Sequence, residues 1–83
     1  MTERGIEMTV VTILLESIND VKEFVNTVAR FDFDVDLVSG RYAVDAKSIM
    51  GIFSLDLAKP IQMNIHAADS SELLAALAKF VQK

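Results

Sequence analysis

The chain reads as an α+β two-layer sandwich, a single sheet with helices on one face, and three observations predict it. A run rich in β-branched residues, Met8 to Leu15, is followed by an apolar stripe at helical spacing, Val21, Phe24, Val25 and Val28. Phe31 to Leu37 then alternates strictly between apolar residues and aspartate, the period of a strand covered on one side only. A second helical stripe, Leu73, Leu74, Leu77, Phe80 and Val81, follows near the C-terminus.

Each element has its own local warrant. Met8 to Leu15 is bounded by polar residues and suits a buried central strand. It is too short to span a bilayer, and Glu3, Glu7 and Glu16 around it do not suit a signal peptide, so no membrane association is expected. Ser17 stands as the N-cap of a helix from Ile18 to Arg30, with Asp20 at the capping-box position and favourable to the helix dipole; Asp20 with Glu23 is the competing cap. In the alternating segment Phe33, Val35 and Leu37 face a core and the aspartates face water. Ser39-Gly40 signals a turn into Arg41 to Asp45, where Tyr42 and Val44 are expected to point inward. Ser48 opens a short helix toward Leu55, Lys59-Pro60 ends the connection, and Ile61, Met63 and Ile65 share one face of a strand ending at His66. Asp69, with Glu72 three residues on, is expected to cap the last helix. The order is β, α, β, β, short α, β, α, with no repeat and no linker, so residues 1–83 are read as a single domain. Periodicity alone leaves ferredoxin-like and ACT-like small domains open.

Composition narrows the function classes. A chain of 83 residues buries only about 60% of its unfolded surface, and with no cysteine it has neither disulfides nor thiolate metal sites to staple it. Absence of cysteine fits a cytoplasmic protein. The net charge of -4, with eight scattered Lys and Arg residues, argues against nucleic acid as a direct partner.

The most informative stretch is Ala46-Lys47-Ser48-Ile49-Met50-Gly51, which places a serine where a helix begins. A phosphate added there would meet free N–H groups and the positive end of the helix. This run, with Ile52-Phe53-Ser54-Leu55 after it and with Phe24 and Ser39-Gly40 at matching positions, resembles the regulatory serine site of HPr, the histidine-containing phosphocarrier of the bacterial sugar phosphotransferase system. The resemblance implies an open-faced sandwich whose antiparallel sheet has strand order 1-4-2-3. It also implies that Ser48 is phosphorylated by an HPr kinase, and that Ile49, Met50 and Phe53 form part of a partner surface, the partner in Gram-positive relatives being a LacI-type transcription regulator. Exposed Met and aromatic side chains suit such an adaptable surface.

The same alignment places Ser17 where the family has its phosphorylated histidine and Asn19 where it has an arginine, while Asp20 replaces the proline that opens the helix. A phosphocarrier needs a labile phosphoimidazole, and a serine phosphate ester does not pass its phosphoryl group onward so readily. Glu16, Asp20 and Glu23 would repel a phosphate, and no cation stands at Asn19. The expectation is a non-catalytic, HPr-like regulatory module, a monomer or weak dimer without a cofactor. A paralogue that lacks the histidine and keeps the serine is known in the family. The plainer reading of Ser48 is an ordinary cap worth about 1 kcal/mol. A ligand-binding domain of ACT or ferredoxin-like type is the alternative, weakened by only three unclustered glycines, and a phosphotransfer enzyme built on Ser17 would lack a base and a cation. His66, the sole histidine, is read as a solvent-side residue. Asp32, Asp34 and Asp36 have the spacing of a calcium loop, but Leu37 stands where such a loop needs glycine and Ala43 where it needs glutamate, so no metal site is expected.

Overall fold

A computed structural model describes residues 8–82; Glu3 and Glu7, which weighed against a signal peptide, lie outside the described residues. The elements are β1 (Thr9–Ile13), α1 (Ile18–Val28), β2 (Asp34–Ser39), β3 (Tyr42–Asp45), α2 (Ile49–Phe53), β4 (Ile61–His66) and α3 (Ser71–Ala76), followed by a 3₁₀ turn at Ala78–Phe80. The four strands form one antiparallel sheet in the order β1-β4-β2-β3. This is the α+β architecture expected, with the strand order that the resemblance implied.

Strand β4 is paired on both edges, Met63 opposite Val11 of β1 and Leu37 of β2. Its alternate residues Ile61, Met63 and Ile65 are fully buried and meet Val35 and Leu37 from β2, Val21, Phe24 and Val28 from α1, Ile52 from α2 and Leu73 and Leu77 from α3 in one continuous core. Burying each such side chain contributes about 1.5–3 kcal/mol. Phe24 and Phe80 meet edge to face at 6.1 Å between ring centroids, which ties α1 to the 3₁₀ turn.

The first strand departs from the central position that its residues suggested, and takes the edge position that the implied strand order gives it. A run of mixed β-branched residues reads the same for a strand buried on both faces and for one buried on a single face. In the fold β1 is an edge strand and Val10, on the open face of the sheet, is half exposed. Its outer edge is not bare. The Leu14 N–H donates to the Phe80 carbonyl at 2.9 Å, the Gln82 N–H donates to the Thr12 carbonyl at 2.8 Å, and Ile13 bridges Val81. A short C-terminal strap thereby blunts an edge that would otherwise offer unpaired backbone groups.

Other boundaries shift for local reasons. Helix α1 stops at Val28, two residues before Arg30, where the Arg30 and Phe31 N–H groups bond three residues back and tighten the last turn. Strand β2 starts at Asp34, although Phe33 still packs on the core. Val44 points inward as expected, opposite Leu37, whereas Tyr42 is 65% exposed. Tyr42 lies on the helix-covered face by parity, but it faces a solvent-open cleft shared with Ser54, Leu55 and Asp56 after the end of α2. Helix α3 starts after Ser70, whose hydroxyl donates to Thr9 Oγ1 at 3.1 Å rather than capping its own helix. Asp69, the expected cap, accepts the Ser71 N–H at 3.0 Å and the Ser71 hydroxyl at 2.7 Å one residue upstream of the cap position. Helix α3 ends at Ala76 and the chain turns back toward Ile13, which is why Leu77 and Phe80 are buried without continuing the helix.

These two bonds from Ser71, the hydroxyl first, hold the Asp69 carboxyl below its ordinary value. Because the shift is downward, the associated stability is complete above the unfolded carboxylate pKa and is lost as pH falls through the lowered folded value. In a carbon-detected NMR titration Asp69 is expected to titrate below the ordinary aspartate value, and Ser71→Ala is expected to raise its midpoint toward that value. Phe24→Ala is expected to cost about 3–5 kcal/mol in urea unfolding. Lys79→Ala, which breaks a pair with Glu23 whose side chains are 57% and 51% exposed, is expected to cost less than about 1 kcal/mol.

Candidate functional site

Both helices that carry the predicted site residues begin with a serine, and the two serines stand in different surroundings. Ser17 has extended backbone and its Oγ accepts the Asp20 N–H at 3.0 Å, so it is the cap chosen over Asp20. The Asp20 carboxylate accepts the Glu16 N–H at 3.1 Å, one residue ahead of the capping-box partner. Asn19 is exposed in the first turn. Among the described residues no ion pair reaches Glu16 or Asp20, and the nearby cation on the last turns, Lys79, is held on Glu23 at 2.7 Å. The first turn of α1 therefore presents the Ser17 hydroxyl, the Asn19 side chain and the carboxylates of Glu16 and Asp20. His66 belongs to the open face of the sheet, opposite the helices. There its Nε2 lies 2.8 Å from Asp36 Oδ2, so the expected solvent-side histidine has a carboxylate partner from the neighbouring strand. Asp36, in turn, is half-buried rather than fully in water.

Ser48 has the setting the sequence suggested. Its backbone is extended, its Oγ accepts the Gly51 N–H at 3.1 Å, and the Ile52 N–H bonds the Ser48 carbonyl at 3.0 Å. An aspartate turn leads into it. Asp45 Oδ1 accepts the Lys47 N–H at 2.8 Å, and the Asp45 carbonyl accepts the Ser48 N–H at 3.0 Å. The Lys47 ammonium does not turn toward Ser48; it donates to the Phe31 carbonyl at 2.8 Å and fastens this loop to the end of α1. Gly51 completes the arrangement by what it lacks, since a Cβ there would sit 3.2 Å from Ser48 Oγ and 3.2 Å from Val44 Cβ. The Asp45-x-Lys47 spacing was available in the sequence as an aspartate-turn signal; the Lys47–Phe31 link and the crowding at Gly51 were not, because both depend on how distant segments meet.

The three residues proposed as a partner surface divide. Met50 is 76% exposed and Phe53 41%, while Ile49 is half-buried against the core. Ile18, on the first turn of the neighbouring α1, is a further exposed apolar residue at 62%. No hydrogen bond or ion pair among the described residues joins the start of α1 to the start of α2. Among the described residues no cluster of His, Asp and Glu is arranged to hold a metal ion, and no helix is long and apolar enough to cross a membrane.

The family model for the PTS HPr component phosphorylation site matches residues 19–83. The chain belongs to the HPr family. Among solved structures it is similar to a phosphocarrier protein HPr from Bacillus anthracis str. Ames, at 31% identity and a TM-score of 0.70, over 90% of this chain and 98% of that one. HPr-C-His from Thermoanaerobacter tengcongensis shares the fold, with a TM-score of 0.70 at 24% identity over 88% of each chain. The family match begins at Asn19, two residues past Ser17, and takes in the whole Ser48 segment. Within the HPr fold, then, this chain carries a complete serine-capped α2 and an α1 that opens on serine.

Both caps and the glycine can be tested by stability. Ser17→Ala and Ser48→Ala are each expected to cost about 1 kcal/mol in chemical denaturation. Gly51→Ala is expected to cost about 1–3 kcal/mol despite alanine's better helix propensity, because the added methyl presses on Ser48 and Val44. A stabilised Gly51→Ala protein would mean that Ser48 and Val44 give way to the added methyl.

Proposed function

We propose that this HPr-family protein is a regulatory and interaction module rather than a competent phosphohistidine carrier, and that Ser48 is its phosphorylation site. The observation that carries this reading is the contrast between the two helix starts. At α1, Ser17 stands at the family's phosphohistidine position by the sequence alignment, flanked by Glu16 and Asp20 and with Asn19 in place of a cation. A phosphoryl group there would face repulsion and lack a labile nitrogen linkage. At α2, Ser48 keeps its cap geometry and adjoins exposed Met50 and Phe53. A phosphate on Ser48 adds close to two negative charges at the start of a helix, where free N–H groups donate to its oxygens, beside apolar side chains that a partner can cover. The proposed partners are an HPr kinase, and a LacI-type transcription regulator that reads the phosphorylated surface. We place the protein in the cytoplasm, as the family's protein partners require, and as a monomer or weak dimer.

Two incubations test the reading. With phosphoenolpyruvate and the general enzyme of the phosphotransferase system, the protein is expected to acquire no acid-labile phosphate; stable loading of His66 would sink the proposal. With HPr kinase and ATP, wild type is expected to acquire an acid-stable phosphate and Ser48→Ala none, and equal incorporation into both would remove Ser48 as the acceptor.

A further inference from the structure

The C-terminal end of α2, away from Ser48, borders a cleft of about 570 Å³ between the β2–β3 turn and the loop leading to β4. Two cationic residues line it. Arg41 comes from the turn, where Gly40 takes φ 61° so that Ser39 and Tyr42 can pair across only two residues. Lys59 comes from the loop eighteen residues on in sequence, and the fold brings the two to one cleft. On a chain of net charge -4 this gathering runs against the overall charge.

The counter-charge is incomplete. Asp56 is the one carboxylate lining the cleft, and its contact with Lys59 is a loose 3.9 Å between side chains 56% and 77% exposed, an arrangement worth little. Arg41 has no carboxylate within ion-pair reach among the described residues. Its planar guanidinium suits two-point contact with a phosphate or carboxylate. Hydroxyls supply the second feature. Ser39 and Tyr42 line the wall, and Ser54 donates its own proton to the Gly51 carbonyl, which leaves its oxygen free to accept from a ligand hydroxyl. Tyr42 is the third. It stands 65% exposed in the cleft where its strand parity would bury it, and offers an aromatic face to a ring.

We propose that this cleft is a binding site for a small phosphorylated, hydroxylated metabolite, its anionic group held by Arg41 and Lys59 and its ring lying on Tyr42. The volume falls within the range of small-molecule sites, and the openness of the cleft to solvent sets a weak, salt-sensitive affinity. The site shares no residue with the Ser48 surface, so it stands or falls separately from the proposed regulatory role.

The test is a nitrogen-15 NMR titration of the full chain at constant ionic strength with ribose 5-phosphate, ribose and inorganic phosphate. Saturable shifts of the Gly40, Arg41, Ser54 and Lys59 amides are expected with ribose 5-phosphate. Ribose is expected to bind at least about tenfold more weakly, as is inorganic phosphate, each lacking one half of the recognition. Arg41→Ala and Lys59→Ala are each expected to weaken binding about tenfold. Asp56→Asn is expected to tighten it, a gain that a misfolded protein cannot imitate. Shifts that never saturate, ribose or phosphate binding as well as ribose 5-phosphate, or an affinity indifferent to all three substitutions would overturn the proposal.

Discussion

Strand β4 is paired on both edges, and its register decides which side chains of the sheet meet the helices. Ile61, Met63 and Ile65 fall on the covered face and are fully buried; Gln62, Asn64 and His66 fall on the other. A slip of one residue would exchange these sets and leave the helices without a floor. The positions of α1, α2 and α3 follow from that floor, as does the placing of both serine caps at the rim of the covered side. The single histidine is excluded from that rim by the same parity, so the chemistry of the helix starts has to come from other residues.

The two serine caps show how one local device acquires different meaning from its neighbours. Each hydroxyl accepts an N–H three residues on, and each satisfies one of the free donors of its helix. Around Ser17 the charged groups of the first turn are the carboxylates of Glu16 and Asp20, the second already accepting the backbone N–H of Glu16. Around Ser48 the neighbours are Gly51, whose missing side chain leaves room, Lys47, which is committed to Phe31, and the exposed Met50 and Phe53. Cap geometry does not distinguish them, and each has exposed apolar surface beside it, Ile18 at one and Met50 and Phe53 at the other; the carboxylates around Ser17 do.

Much of the fold was legible in the chain because it rests on periods and caps that are local. The stripe of α1, the alternation of β4, the hairpin turn at Gly40 and both serine caps were read from spacing, and the structure has them. The errors lie where a pattern needs a partner to have meaning. Tyr42 alternates as a buried residue but faces a solvent-open cleft, and Asp69 reads as a cap while Ser70 is drawn to Thr9 sixty-one residues away in sequence. The last apolar stripe suggests one continuous helix, yet the chain breaks after Ala76 so that Val81 can bridge Ile13.

By itself, then, the sequence determined the kind of each element, the serine at the start of each site helix, and the lack of a histidine or cation at the start of α1, because these are matters of residue identity and of interactions within a few positions. Tertiary structure alone decided that the C-terminus straps the outer edge of β1, that Ile49 is held half-buried while Met50 and Phe53 stand out, that His66 meets Asp36, and that Arg41 and Lys59 line one cleft. Each of these depends on segments far apart in the chain coming to rest on one another, and long-range contact of that kind is set by the packing of the whole core.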